Sequence, residues 1–276
     1  MTYFMAMVLG LVQGIAEFLP ISSSGHLTLL QHFFGLKEVD SLYNILLHFA
    51  TLLAVCVAYR RDIGEMIVEF FRGLTTLTGH SKGMPVPPAR RLVLLVILGT
   101  LPLFVIVPLE EYIEGLCSQP LFVALMLLIT GGILFFSDRM AKGNKTESTA
   151  SVKDALLVGL AQGCATIPGL SRSGCTISAG LALGFERTFA VRYSFLLSLP
   201  AVLGATLLKV IKVMREGGVQ MELLPKYLAG MAVAGIVGYF SIQLVNLLAS
   251  KGRFGAFAYY CWAVGIAVIA ALVLGV

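Results

Sequence analysis

The sequence predicts an all-α integral membrane protein made of two inverted-topology repeats, each a re-entrant helix-loop-helix followed by three transmembrane helices. Three observations carry that expectation. The chain of 276 residues is 58% hydrophobic and 13% charged, with a mean hydropathy of +0.90, which leaves too little polar surface to solvate a folded soluble domain. The passage Gly10-Leu11-Val12-Gln13-Gly14-Ile15-Ala16-Glu17, running on to Pro20-Ile21-Ser22-Ser23-Ser24-Gly25, returns 149 positions later as Gly159-Leu160-Ala161-Gln162-Gly163-Cys164-Ala165-Thr166 and Leu170-Ser171-Arg172-Ser173-Gly174, with eight identities and no gap. Finally, both copies are polar and glycine-rich inside very apolar halves, the pattern of broken helices that meet at a functional site.

The expected order is a first repeat over 1–140, a cytoplasmic linker over 141–153 and a second repeat over 154–276, integrated as one domain. The start, Met1-Thr2-Tyr3-Phe4, lacks a basic n-region, and no small-residue cleavage site follows, so the first apolar stretch is expected to be mature structure. The two re-entrant hairpins are placed at about 2–35 and about 154–185. After Gly25 about ten residues remain before the Gly35-Leu36-Lys37 break, and at about 1.5 Å per residue such a helix reaches halfway across a core of about 30 Å. Gly174 to Gly184 is equally short. Non-helical backbone at that depth is tolerated only when buried in protein or lining a wet cavity. Six stretches approach a full crossing: Leu42 to Tyr59, Leu92 to Leu109, Leu121 to Phe136, Tyr193 to Val213, Tyr227 to Ala249 and Phe254 to Val276. Three crossings after each hairpin is an odd number, which inverts the second copy.

Charge orients this arrangement. One face receives 14 basic residues, Arg60, Arg61, Arg72, Lys82, Arg90, Arg91, Arg139, Lys142, Lys145, Lys153, Arg187, Arg192, Lys251 and Arg253. The other receives five, Lys37, Lys209, Lys212, Arg215 and Lys226, with the acidic turn Glu110-Glu111-Tyr112-Ile113-Glu114. The richer face is expected in the cytoplasm and both termini outside. The net charge of +5 needs no nucleic acid, because the basic residues fall between apolar spans. Asp62, Glu65, Glu69 and Arg72 oppose Ile63, Met66, Ile67, Phe70 and Phe71, which predicts a helix lying at the cytoplasmic interface. The five cysteines, Cys56, Cys117, Cys164, Cys175 and Cys261, include no CxxC pair and read as packing residues.

A carboxylate at membrane depth is costly, so Glu17 is either functional or paired. Gln13 and Glu17 are four apart and share a helix face directed at the Ser22-Ser23-Ser24-Gly25-His26 turn. Serine and glycine just before a helix offer backbone amides and a positive dipole end, a geometry suited to phosphate, though common as a plain N-cap. Arg172 is the sharpest residue: a permanent guanidinium inside an apolar hairpin requires an anion, either two phosphate oxygens or Glu17. The two options are compatible if substrate opens the pair. His26 reads as nucleophile, acid, metal-side ligand or satisfied core imidazole, His48 as structural more than chemical, and His32 and His80 lack supporting context.

Together these residues resemble the undecaprenyl-diphosphate phosphatase family of bacteria, also called the bacitracin-resistance protein family, over essentially the whole chain. The family's (E/Q)xxxE motif matches Gln13 to Glu17, and the serine-rich motif after it matches Pro20-Ile21-Ser22-Ser23-Ser24-Gly25-His26. Its PGxSRSxxT motif matches Pro168 to Thr176, and Ser194 to Pro200 is also similar. Gln13 is the amide version of the first motif position, so it cannot be an ionised base or a strong metal ligand, and Cys175 falls at a variable position. The resemblance implies hydrolysis of undecaprenyl diphosphate to undecaprenyl phosphate and inorganic phosphate, recycling the lipid carrier for cell-wall glycan synthesis. It implies a bacterial cytoplasmic (inner) membrane location with the active site opening to the outer side, and a divalent cation, Mg2+ or Ca2+. The partners implied are a polyprenyl diphosphate lipid and membrane lipids, with no nucleic acid; a homodimer is compatible.

Phosphoryl transfer needs positioning and charge neutralisation above all. The implied catalytic residues are Glu17, Ser23, His26 and Arg172, with Glu17 as base or metal ligand and Gln13 in support. Ser22, Ser24, Gly25, Ser171, Ser173, Gly174 and Thr176 are the implied phosphate-binding residues. Either Ser23 or His26 would attack phosphorus or orient water; Ser23 aligns with Arg172 under the 149 offset, which sets the two facing each other and inclines the choice to Ser23. The competing class is an inverted-repeat transporter or flippase of polyprenyl phosphate lipids. Phosphate release from farnesyl diphosphate separates the two. A further lipid-phosphatase class shares Ser-Gly-His but needs Arg-x5-His-x3-Asp, and none of His32, His48 and His80 has an aspartate four residues on.

Overall fold

A computed structural model describes residues 1–33, 41–77, 86–106, 119–140, 142–215 and 221–274, and the described residues are helical with no strand. In chain order the helices are α1 (Tyr3–Ala16), α2 (Ser23–Phe33), α3 (Ser41–Ala58), α4 (Arg60–Leu77), α5 (Pro88–Thr100), the single turn α6 (Leu103–Ile106) and α7 (Pro120–Met140). The second half holds α8 (Val152–Cys164), α9 (Arg172–Ala182), α10 (Arg187–Arg215), α11 (Leu224–Ser250) and α12 (Ala256–Leu274). The Gly35 to Lys37 break, the acidic turn at Glu110 to Glu114, Cys117, His80 and Lys82 lie outside the described residues.

Among the described residues, five helices, counting Pro88–Ile106 as one, are long and apolar enough to cross a membrane, and the bent α3–α4 pair makes six. Their outward surfaces carry large apolar side chains, Phe104, Phe136, Phe240 and Ile266 among them, each more than half exposed. A surface of that kind is stable only against lipid. The chain is therefore a multi-pass membrane protein. The expected crossing Leu92 to Leu109 is broken within its span, at Leu101-Pro102, where proline supplies no amide for the ladder. The predicted interfacial helix is α4, turned 84° from α3. Its Ile63 and Met66 pack on the core while Ile67, Phe70 and Phe71 face outward.

The four short helices α1, α2, α8 and α9 are 11 to 14 residues long. Glycine lets them approach their neighbours at backbone distance. A Cβ on Gly10 of α1 would stand 2.3 Å from the carbonyl oxygen of Gly230 on α11, and one on Gly159 of α8 would stand 2.0 Å from that of Gly99 on α5. Each crossing is closed by a tyrosine from the next long helix: the Tyr43 hydroxyl donates to the Ala6 carbonyl at 2.6 Å, and that of Tyr193 to Leu95 at 2.7 Å.

Charged side chains gather at one end. Arg192 donates to Asp62 at 3.2 Å and to Glu147 at 2.6 Å, Arg90 to Glu69 at 3.0 Å, Arg91 to the Ala150 carbonyl at 2.8 Å, and Arg187 pairs with Asp138. The segment before α8 is fastened there: Lys145 bridges backbone to backbone with Gly184 and Glu186, and its ammonium reaches Asp154 at 3.1 Å. Asp154 also completes a capping box with Ser151 at the start of α8.

Alanine at Gly10 or Gly159 is expected to lower the thermal midpoint in detergent by about 5 °C or more, because backbone cannot rotate away from the new methyl group. Alanine at Gly132 or Gly64, where a Cβ meets nothing within 4 Å, is expected to leave the midpoint unchanged or raise it, as helix propensity alone dictates.

Candidate active site

Two loops, one after α1 and one after α8, face each other. In the first, Glu17 ends α1 with its amide on the Gln13 carbonyl, and the chain turns through Ser22 at φ 71° before α2 begins. That left-handed conformation is uncommon for a residue with a Cβ and stores strain. It leaves the Ser22 hydroxyl to cap the Gly25 amide at 3.2 Å. In the second loop, Gly169 takes the positive φ, at 93°, and Ser171 caps the Gly174 amide at 3.1 Å. Thr130 of α7 holds this loop, donating to the Gly169 carbonyl at 3.2 Å and accepting from the Ser171 amide at 3.3 Å. The contacts between loops are reciprocal: a Cβ on Gly25 would meet Gly169 Cα at 3.2 Å, and one on Gly174 would meet Pro20 Cβ at 3.5 Å.

Between the loops lies a cavity of about 300 Å³ whose polar wall includes Glu17, Ser23, Ser24, Ser171 and Arg172. Its apolar wall comes from Ile45, Leu103 and the α10 residues Ala201, Val202 and Ala205. Glu17 is the hub. Arg172 pairs with Oε1, while Oε2 accepts from the Ser23 hydroxyl at 2.7 Å and from Gln13 Nε2 at 3.0 Å, with His48 Nδ1 at 3.2 Å. The four residues Gln13, Glu17, Ser23 and Arg172 thus meet, although Arg172 lies 155 positions beyond Glu17. A hydroxyl on a carboxylate beside a guanidinium can lose a proton, attack an electrophile and have the developing charge held.

Several polar groups singled out in the sequence are spent in holding the loops. Ser22 and Ser171 are occupied as caps, and the amides of Gly25 and Gly174 are taken by them, so neither amide is open to an anion. The amides of Arg172 and Ser173 have no partner among the described residues. Ser173 reaches the Leu19 carbonyl at 3.5 Å, and Thr176 donates to the Arg172 carbonyl at 2.8 Å and meets Ser194 of α10. His26 does not line the cavity. Its Nδ1 meets the Ser22 carbonyl at 2.8 Å and its Nε2 the Tyr260 hydroxyl at 2.9 Å, with the two rings stacked 5.7 Å apart. The imidazole thereby braces the strained Ser22 turn against α12.

His48, read from the sequence as structural, stands against Glu17 and in the cavity wall. Its one signal was a polar ring in an otherwise apolar crossing, which membrane depth makes informative. Gln162, Thr166 and Thr206 also line the cavity. Of these, Gln162 was legible as the counterpart of Gln13 in the repeat. A divalent cation has a partial set of ligands here. Glu17 supplies one carboxylate, and Gln13 Oε1 is buried with no hydrogen-bond partner. Among the described residues no three His, Cys, Asp or Glu side chains cluster. Magnesium commonly uses one or two carboxylates and takes its remaining ligands from water and substrate phosphate, so these residues fit a cation shared with a phosphate ligand.

Fold and site define a class: a polytopic helical membrane protein with an internal carboxylate, hydroxyl and guanidinium site between two broken helices. Within that class, residues 6–267 match the family described as Bacitracin resistance protein BacA. The chain belongs to that family. Similar proteins named undecaprenyl-diphosphatase occur in Methanosphaera stadtmanae, 40% identical over 269 residues and 96% of each chain, and in Syntrophotalea carbinolica, 40% identical over 267 residues, 96% of this chain and 97% of the relative. Another, in Halothermothrix orenii, is 38% identical over 270 residues and 98% of each chain.

Converting Arg172 to Met is expected to strand the buried Glu17 carboxylate and cost about 3 kcal/mol of stability. Adding Glu17→Gln to that variant is expected to recover most of the loss, because no unpaired charge remains. Chemical denaturation of the four proteins of this cycle measures the coupling.

Proposed function

We propose that this protein hydrolyses undecaprenyl diphosphate to undecaprenyl phosphate and inorganic phosphate. The observation that carries this is the Ser23 hydroxyl donating to Glu17 at 2.7 Å while Arg172 holds the other carboxylate oxygen. The names of the relatives supply the substrate. A carrier of the same lipid has no need to aim a hydroxyl at a carboxylate beside an arginine, so chemistry is favoured over transport.

The steps follow from the side chains. The terminal phosphate enters the cavity and draws Arg172 from Glu17, exchanging a carboxylate for phosphate oxygens with the same guanidinium fork. Glu17, held by Gln13 and His48, accepts the Ser23 proton. Ser23 Oγ bonds to the terminal phosphorus as the bond to the bridging oxygen breaks, and the lipid monophosphate leaves with that electron pair. Glu17 passes that proton to the departing lipid phosphate, then takes one from the water that cleaves the phosphoserine and returns it to the serine oxygen as inorganic phosphate departs. Arg172 and the open amides of Arg172 and Ser173 neutralise charge on the equatorial oxygens. A divalent cation, Mg2+ or Ca2+, held by Glu17 and Gln13 Oε1 together with the phosphates, would supply further charge neutralisation. His26 acts in this reading by fixing the Ser22 turn that aims Ser23.

We further infer that the two halves are inverted repeats with re-entrant hairpins α1–α2 and α8–α9. Support comes from the reciprocal loop contacts, the matched serine caps and the paired glycine crossings at Gly10 and Gly159. The charged end then faces the cytoplasm, as its excess of arginine and lysine requires, and both termini lie outside. The membrane is the bacterial inner membrane, with the site opening outward to a lipid whose carrier is recycled for cell-wall synthesis.

Purified protein with Mg2+ or Ca2+ is expected to release phosphate from farnesyl diphosphate, and a folded preparation that releases none would overturn the proposal. Ser23→Ala is expected to lose about 1,000-fold or more in kcat and to trap no phosphoenzyme, whereas His26→Ala retains trapping; the opposite pattern assigns the nucleophile to His26. Glu17→Gln is expected to abolish turnover and the response to added cation together.

A further inference from the structure

Gln13 and Gln162 stand at equivalent places in the doubled sequence, yet only one is used. Gln13 Nε2 is engaged by Glu17 and His48. Gln162 is 2% exposed, and neither its Oε1 nor its Nε2 has a hydrogen-bond partner among the described residues, although the residue forms part of the wall of the cavity that holds Glu17, Ser23 and Arg172. An amide buried unpaired costs about 1–3 kcal/mol, and a leucine of similar size would avoid that cost. A native site that keeps such a group keeps it for something that arrives.

The surroundings say what arrives. One turn beyond Gln162, the second copy has Thr166 where the first has Glu17, so this wall of the cavity carries a neutral hydroxyl in place of the carboxylate. Ser171 and Arg172 complete the same wall. An amide donor in a cavity wall that also carries a guanidinium suits an anion with several oxygens. The Oε1 acceptor then takes a proton from water bound to that anion, so both orphan atoms are satisfied in one event. We propose that Gln162 is a binding residue for the diphosphate group of the substrate, donating Nε2 to a phosphate oxygen. This rests on the phosphatase reading and deepens it. Glu17 and Ser23 on the first loop carry the reaction, and Gln162 on the helix before the second loop holds the group being cut.

The test compares wild type, Gln162→Leu and Gln162→Glu as full-length protein in detergent, reading phosphate release from farnesyl diphosphate and the substrate-free thermal midpoint. Gln162→Leu is expected to raise KM about tenfold or more, the worth of a hydrogen bond to a charged group, while kcat changes less than about threefold. Its substrate-free midpoint is expected to equal or exceed that of wild type, because the orphan amide is gone. Gln162→Glu is expected to raise KM further, by placing a carboxylate against phosphate. An unchanged KM, or a lowered midpoint with kcat and KM both disturbed, would make Gln162 a structural residue and overturn the proposal. Inorganic diphosphate as a thermal-shift ligand separates this result from failure of the phosphatase reading. Should wild type release no phosphate yet be stabilised by inorganic diphosphate through Gln162, the binding site stands and the reaction does not; equal shifts in wild type and Gln162→Leu reject the site.

Discussion

The ion pair between Glu17 and Arg172 is the constraint on which the rest of the structure depends. It joins two loops that lie 155 residues apart, inside a chain whose exterior is apolar. A single charge at that depth would be prohibitive, so each loop requires the other, and the helices that carry them must converge. The pair also keeps the cavity in a defined electrostatic state before substrate arrives. In the proposed reaction Arg172 is retained but not consumed, since its fork exchanges a carboxylate for phosphate oxygens.

Convergence is achieved with small residues and tyrosine hydroxyls. The crossings at Gly10 and Gly159 let short helices lie against long ones at backbone distance, and Tyr43 and Tyr193 satisfy carbonyls beside them. Inside lipid the hydrophobic effect does not drive helix against helix, so close packing and internal hydrogen bonds must supply the association. At the charged end, Arg192, Arg187 and Arg90 knit α4, α5, α7 and α10 through carboxylates. The interior of the site is thereby held from both directions, by packing at mid-depth and by ion pairs at the end.

The two loops share a frame but carry different functional groups. Matched serine caps and reciprocal contacts give them the same backbone logic, but the first loop carries the carboxylate, the hydroxyl and a strained Ser22, while the second carries the guanidinium and an unspent amide. His26 shows how a motif residue serves without lining the cavity. Braced between Tyr260 and the Ser22 carbonyl, it supports a backbone conformation that a residue with a Cβ seldom adopts.

Much of this was legible in the chain alone. Composition dictated a membrane protein, because apolar surface on that scale has no stable solution in water; the repeat marked both loops; and the four-residue spacing placed Gln13 and Glu17 on one face, as their hydrogen bond bears out. Local rules of that kind act through bonded geometry and so survive in one dimension. What tertiary structure alone decided were meetings between distant helices. His48 came to Glu17 because α3 passes the end of α1, and His26 turned to Tyr260 because packing brings α12 within reach of α2. The Gly25 and Gly174 amides, open in a sequence reading, were closed by serine caps, while Gln162, silent as a repeat identity, proved to be a buried amide with both polar atoms unpaired among the described residues. Which polar atoms are spent inside the fold, and which are left for a ligand, depends on every neighbour that packing brings within about 3 Å, and spacing along a chain does not carry that information.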